Sequence, residues 1–298
     1  MVQKIIPHLW FDYKAEEAAE FYVSLFRNSL IKTIARYSEA GAKAAGMPLG
    51  AVMTIEFELA GKKFVGLNGG PFFSFSPAIS FFVGCDTIEE VERLYEKLSG
   101  QGSVLMPLDS YPFSERFAWV NDRYGVSWQL YKGEYGQKIT PCLMFVKNQY
   151  GKASDAMQFY TSLFKNSSID LSVPYTKEEG EKEGAIKHGK FTLDGEQFIA
   201  MDSGHDHQFT FTPAVSFLVE CEDQGEIDHF WNNLSAVPEA EQCGWLMDKY
   251  GISWQVVPSI LDSLIVNENK SKAENTTKAM LQMKKLDIDT LKKAFEEG

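Results

Sequence analysis

Hydrophobic positions along this chain alternate between two periods, and the switches between them mark the elements. Ala15, Ala18, Ala19, Tyr22, Leu25 and Phe26 recur at the spacing of one helical face. Glu16 and Glu17 fall in the first turn of that helix, where they oppose the positive end of its dipole. Met53, Ile55, Phe57 and Leu59 then alternate with polar residues up to Gly61-Lys62, which predicts a strand ending in a turn. A second helix is predicted after Thr87, a suitable N-cap, with Ile88, Val91, Leu94, Tyr95 and Leu98 on its apolar face. After Pro258 two more helical patterns follow, over Lys272–Lys285 and Asp289–Glu296, with Asp289 as the expected cap of the latter. Their Met280, Met283, Leu286, Leu291 and Phe295 are expected to dock on the rest of the chain.

The same pattern occurs twice. Phe21-Tyr22-Val23-Ser24-Leu25-Phe26-Arg27-Asn28 matches Phe159-Tyr160-Thr161-Ser162-Leu163-Phe164-Lys165-Asn166. Further collinear matches pair Phe57, Leu59, Gly61 and Phe64 with Phe191, Leu193, Gly195 and Phe198, and the run from Pro77 to Phe81 with that from Pro213 to Phe217. The stretch from Trp119 to Gln129 repeats from Trp245 to Gln255 with seven of eleven positions identical. A repeat of this length reads as a duplicated structural unit. The predicted organisation is module 1 over residues 1–135, module 2 over 138–258 and a helical tail over 259–298. Each module reads as βαβββ twice, one sheet face covered by helices and the other free. Copy 1 carries a longer loop near Met106–Arg116, expected to cover a site.

Composition narrows the function. The chain has 298 residues, 44% hydrophobic and 23% charged, which is ordinary for globular domains. A net charge of −12 disfavours nonspecific binding to nucleic acid or anionic membranes, which needs a basic surface. No apolar run approaches a membrane span, and the first residues lack a cleavable leader pattern. Cys85, Cys142, Cys221 and Cys243 form no CxxC pair. The expected location is therefore the reducing cytoplasm.

The opening Ile6-Pro7-His8-Leu9-Trp10-Phe11, with Ala15-Glu16-Glu17-Ala18 and Phe21-Tyr22, resembles PhnB-like proteins. So do Glu115-Arg116-Phe117-Ala118-Trp119-Val120, the two Asp-x-Tyr-Gly-x-Ser-Trp-Gln segments, Gln242-Cys243-Gly244-Trp245-Leu246 and the tail from Ala279 to Asp287. These proteins form a branch of the vicinal-oxygen-chelate (glyoxalase/bleomycin-resistance) superfamily and often carry the label 3-demethylubiquinone 3-methyltransferase. The resemblance implies an α+β fold of tandem modules, each of paired βαβββ units, plus C-terminal helices. It also implies a dimer as one possible assembly.

Metal-dependent members of that superfamily place ligands on four strands facing a cavity. Carried onto this sequence, the positions are His8, Glu56, Ser80 and Gln129 in copy 1, and Cys142, Lys190, Ser216 and Gln255 in copy 2. Ser80 stands where His is usual and Gln129 where Glu is usual, so the copy 1 set is degenerate. Lys190 would repel a cation, which makes copy 2 poorer still. The expected ligand site is thus His8, Trp10, Glu56, Ser80 and Gln129, closed by the longer loop. A divalent metal at His8, Glu56 and Gln129, with Glu56 as base of a glyoxalase-type isomerase or lyase, is the alternative. A structural or regulatory protein acting through its tail is the third reading. Methyltransferase chemistry is disfavoured, because Gly66-Leu67-Asn68-Gly69-Gly70 leads into Pro71-Phe72-Phe73 and not into a helix. His205-Asp206-His207 has a metal-like spacing but reads as a loop.

Overall fold

The computed structural model describes residues 3–133 and 136–298, so Met1 and Tyr135, the expected ends of the first module, lie outside the described residues. Module 1 contains β1 (Ile5–Phe11), α1 (Ala15–Leu25), β2 (Leu30–Arg36), α2 (Glu39–Ala45), β3 (Val52–Leu59) and β4 (Lys62–Asn68). Its second half is β5 (Ile79–Cys85), α3 (Ile88–Ser99), β6 (Ser103–Tyr111), β7 (Ser114–Asn121) and β8 (Ser127–Lys132). Module 2 follows with β9 (Ile139–Phe145), α4 (Ala153–Leu163), β10 (Ser168–Pro174), β11 (Ile186–Leu193) and β12 (Glu196–Asp202). It ends with β13 (Val215–Cys221), α5 (Gln224–Leu234), β14 (Trp245–Met247) and β15 (Ser253–Pro258). The tail forms α6 (Leu261–Ile265), α7 (Lys270–Leu281) and α8 (Ile288–Glu296).

The two modules exchange halves. One sheet runs β14-β15-β13-β1-β4-β3-β2 and the other β10-β11-β12-β9-β5-β8-β7-β6. The joins are antiparallel: Ile5–Leu9 of β1 against Val215–Val219 of β13, and Ile79–Val83 of β5 against Ile139–Leu143 of β9. The first sheet therefore takes its β1–β4 half from module 1 and its β13–β15 half from module 2. The second sheet does the reverse. Pairing of the modules is settled within one chain.

Side chains on the helix-covered faces of both sheets merge into one core. Its centre is aromatic, with Phe64 against Phe81 at 5.4 Å and Phe198 against Phe217 at 5.2 Å. The repeated Asp-x-Tyr-Gly-x-Ser-Trp motif is a structural knot in this core. Asp122 accepts hydrogen bonds from Tyr22 Oη, Trp128 Nε1 and the backbone N–H groups of Tyr124 and Val126. Asp248 does the same with Tyr160, Trp254, Tyr250 and Ile252. Each knot ties the first helix of its module to the last strand. Sequence identity in these segments thus reflects architecture, not a binding site.

Three expectations change. Residues 106–116 are not a loop but most of the β6–β7 hairpin; β6 is an edge strand, where Pro107 is tolerated. Module 2 lacks the counterpart of β6. The tail fills that place, since Cys243 N donates to Met283 O and Gly244 N to Lys284 O, both at 2.8 Å. Gly244 has φ +87°, and a Cβ there would lie 3.2 Å from Leu286 Cδ1, so this join requires glycine. The last helix starts earlier than expected, capped by Asp287, whose side chain accepts from Thr290 N.

The tail docks on its own chain. Leu286 and Leu291 are fully buried against Val257 and Leu261. Lys285 pairs with Asp228 at 2.6 Å, Lys284 with Glu241 at 3.1 Å, and Glu274 accepts from Ala40 N in the first turn of α2. No helix among the described residues is long and apolar enough to cross a membrane.

Candidate functional site

Strand alternation sorts the nominated residues onto two separate faces. On the helix-free face of the first sheet, Ser216 lies opposite His8, Val65 beside His8, and Glu56 opposite Val65. Gln255 donates from Nε2 to Ser216 Oγ at 3.0 Å and lies opposite Trp245 on β14. On the second sheet the equivalent row is Gln129, Ser80, Cys142, Ile199 and Lys190. There Gln129 donates to Ser80 Oγ at 2.9 Å and approaches Cys142 Sγ at 3.8 Å.

His8, Trp10 and Glu56 therefore share a face, whereas Ser80 and Gln129 stand on the other sheet with Cys142 and Lys190. The true companions of His8 and Glu56 are Ser216 and Gln255. The expected grouping by module fails because β1 does not pair with β5; β1 finds its neighbour in β13 and β5 in β9, each in the other copy.

Two cavities open on the face that carries His8. The smaller, about 290 Å³, is lined by His8, Glu56, Val65, Leu218, Glu220, Gln255 and Asp262, among others. The larger, about 490 Å³, is walled by Trp10, Tyr37, Leu67, Phe73, Trp245 and Met280. Trp245 lines both, its ring 5.8 Å from that of His8 and 6.0 Å from that of Trp10. The cover is not the β6–β7 hairpin. It is α2 together with α6 and α7, which contribute Gly41, Ile265, Thr277 and Met280.

Trp10 is held by the glycines that follow β4. Its Nε1 donates to Gly70 O at 2.8 Å, and its ring lies where a Cβ on Gly69 would be, 2.2 Å away. These glycines seat an aromatic wall and do not cradle a phosphate.

The electrostatics of the smaller cavity are asymmetric. Lys63 bonds Glu56 and Glu220, each at 3.1 Å. Burial works to lower the Lys63 pKa, but the two carboxylates outweigh it and raise it. Asp262 keeps solvent contact, yet surrounding protein raises its carboxyl pKa, with Glu220 and Glu56 adding repulsion and Lys63 opposing them. His8 is 5% exposed, its Nδ1 has no hydrogen-bond partner, and burial lowers its pKa to about 3. On the second sheet burial pushes the Cys142 thiol up to about 12, so it stays protonated and unreactive.

The His8 shift makes a prediction. Its folded pKa lies below the ordinary 6.5, so its contribution is intact above pH 6.5 and is lost as pH falls toward about 3. At roughly 1.4 kcal/mol per pH unit, that is about 3 kcal/mol by pH 4.5. Urea midpoints at pH 7 and 4.5 should show His8→Gln relieved of that share of the acid loss. His188, pulled down to about 4 by burial and by Lys190, keeps its own share in both chains.

Sequence reasoning missed Trp245, Lys63, Glu220 and Asp262. The tight turn at Ala60-Gly61 sets the β3–β4 register, which places Lys63 beside Glu58 and within reach of Glu56. No comparable local signal exists for Glu220 or Asp262. His205 and His207 lie in the loop after β12, where Ser203 Oγ and His207 Nε2 are 2.7 Å apart.

The chain is similar to known proteins over both modules. The family model for 3-demethylubiquinone-9 3-methyltransferase matches residues 3–131 and again 137–257. The PhnB protein from Bacillus cereus is 46% identical over 44% of this chain and all of its own, with a TM-score of 0.41. A protein from Staphylococcus aureus is 35% identical over 45% of this chain and 99% of its own, with a TM-score of 0.19. Glyoxalase I from Zea mays is only 8% identical, but it covers 89% of this chain and 98% of its own at a TM-score of 0.53, a likeness of fold. No curated protein matches the chain.

Proposed function

The chain belongs to the 3-demethylubiquinone-9 3-methyltransferase family, the PhnB-like branch of the vicinal-oxygen-chelate fold, and on that premise we propose that it binds a small organic molecule over its first sheet without methyltransferase chemistry. The observation that carries this reading is the pair of adjoining cavities, which share Trp245 and Met280 in their walls, with the buried His8 lining the smaller one. Concave, mostly apolar sites with a few placed polar groups are the usual form of ligand pockets. A nucleotide-type cofactor site is not supported, since the glycine turn after β4 leads to Trp10 and not to a helix N-terminus.

The donor set fits a divalent metal poorly. Glu56 and Glu220 are both engaged by the Lys63 ammonium, and Gln255 is neutral and donates to Ser216. Among the described residues no group of three or more His, Cys, Asp or Glu could hold an ion.

The test is a thermal-shift screen of small organic molecules against the whole chain. Hits should lose most of their shift in Trp10→Ala and Glu56→Gln and keep it in Gln129→Leu. Hits that respond only to Gln129→Leu, or metal bound stoichiometrically in elemental analysis, would overturn the proposal.

A further inference from the structure

The reading above leaves open what kind of molecule enters, and the charges around the smaller cavity bear on that. Glu56, Glu220 and Asp262 line it, and Lys63 is the cation that answers them. Three carboxylates thus face one ammonium. His8 adds no positive charge, because burial keeps its ring neutral. The His8 ring lines this cavity, and its Nδ1 is buried with no hydrogen-bond partner among the described residues, a cost the fold carries at this wall.

The larger cavity differs in kind. Trp10, Tyr37, Met53, Leu67, Trp245 and Met280 make its walls apolar and aromatic. Its charged lining, Arg36 and Glu239, is balanced, and Arg36 already donates to Gly50 O.

We propose that the adjoining cavities take an amphiphilic organic amine, its ammonium against Glu220, Glu56 and Asp262 and its apolar body between Trp10, Trp245 and Met280. This rests on the small-molecule reading above and gives it a substrate class. An ammonium brings three donors to carboxylates that Lys63 leaves incompletely neutralised, and charge-assisted bonds of this kind are the strong ones. The face of Trp245, which lines both cavities, adds attraction for a cation passing between them. A carboxylate ligand would meet like charges at the same place, and a neutral ligand would gain nothing from them.

Isothermal titration of the whole chain at pH 7 with 4-phenylbutylamine, 4-phenylbutan-1-ol and 4-phenylbutyrate separates these cases. The amine should bind about tenfold tighter than the alcohol, and the butyrate most weakly. Glu220→Gln and the exposed-site variant Asp262→Asn should each cut affinity for the amine severalfold and leave the alcohol nearly unchanged. Asp262 stands at the rim, so its variant reports even if Glu220→Gln folds poorly. Equal binding of amine and alcohol, or tighter binding of the butyrate, would overturn the charge assignment while the cavity reading stands. If none of the three binds, both readings fall.

Discussion

Expressed alone, residues 3–131 are expected to form a dimer and no stable monomer. In the whole chain β1 is flanked by β4 and by β13 of the other module, and β5 by β8 and by β9 of the other module. Cutting out module 2 strips both strands of a neighbour and leaves the centre of each sheet as an open edge. It also opens the shared core, because the Phe198–Phe217 pair that packs beside Phe64 and Phe81 is removed and Lys62 loses its double contact with Glu196. A second copy can supply the missing halves, since each half of module 2 repeats its counterpart in module 1. Unpaired edges with an apolar face invite that association. Light scattering after gel filtration should give twice the chain mass across the micromolar range. A folded monomer with native-like circular dichroism would contradict the exchanged-half architecture.

The second large effect is expected at the aspartate knots. Asp122→Ala removes the acceptor for four donors, and Asp122 is only 3% exposed, so water cannot take its place. Each buried donor left unsatisfied costs about 1–3 kcal/mol, and partial relaxation brings the expected total to roughly 3–5 kcal/mol. Asp248→Ala should cost about as much, because its four partners repeat those of Asp122. Neither change reaches the cavities over the first sheet. Urea unfolding would measure both, and a loss below about 1 kcal/mol in either would mean the knots are not holding the core. Ligand affinity under native conditions should be unchanged in both variants.

These two predictions divide what could be read from the chain. The helical stripe of Ala15 to Phe26 and its repeat reappear as α1 and α4, because a stripe of that spacing has one way to bury its apolar face. The Thr87 cap is present for the same local reason, with its side chain accepting from Glu90 N. The expected α+β fold of tandem modules with C-terminal helices stands. The short α2 was missed, since Glu39–Ala45 is rich in Ala and Gly and shows no apolar stripe.

The site was legible by halves. Period-two alternation put His8 and Trp10 on one face. It could not say which half meets which, because strand neighbours across modules are chosen by closure of the core and not by any local pattern. The equivalence of Ser80 with Ser216, and of Gln129 with Gln255, made the error invisible in the sequence. Either serine and either glutamine would have completed the same row. Cys142 and Lys190, which stand on the second sheet where His8 and Glu56 stand on the first, make the two rows chemically different. The tail then adds to that difference, since it covers the face with His8.

The central claim is therefore that module 1 meets module 2 at His8. A cysteine pair tests it directly. His8 and Ser216 are opposite partners on antiparallel strands, and such pairs stand about 4.5–5.5 Å apart at Cα, within the span of a disulfide. In a Cys243→Ser background, His8→Cys with Ser216→Cys should give the 8–216 linked peptide on mild oxidation, read by mass spectrometry after digestion. The companion pair His8→Cys with Ser80→Cys should give no such link. A disulfide between 8 and 80, with none between 8 and 216, would contradict the account.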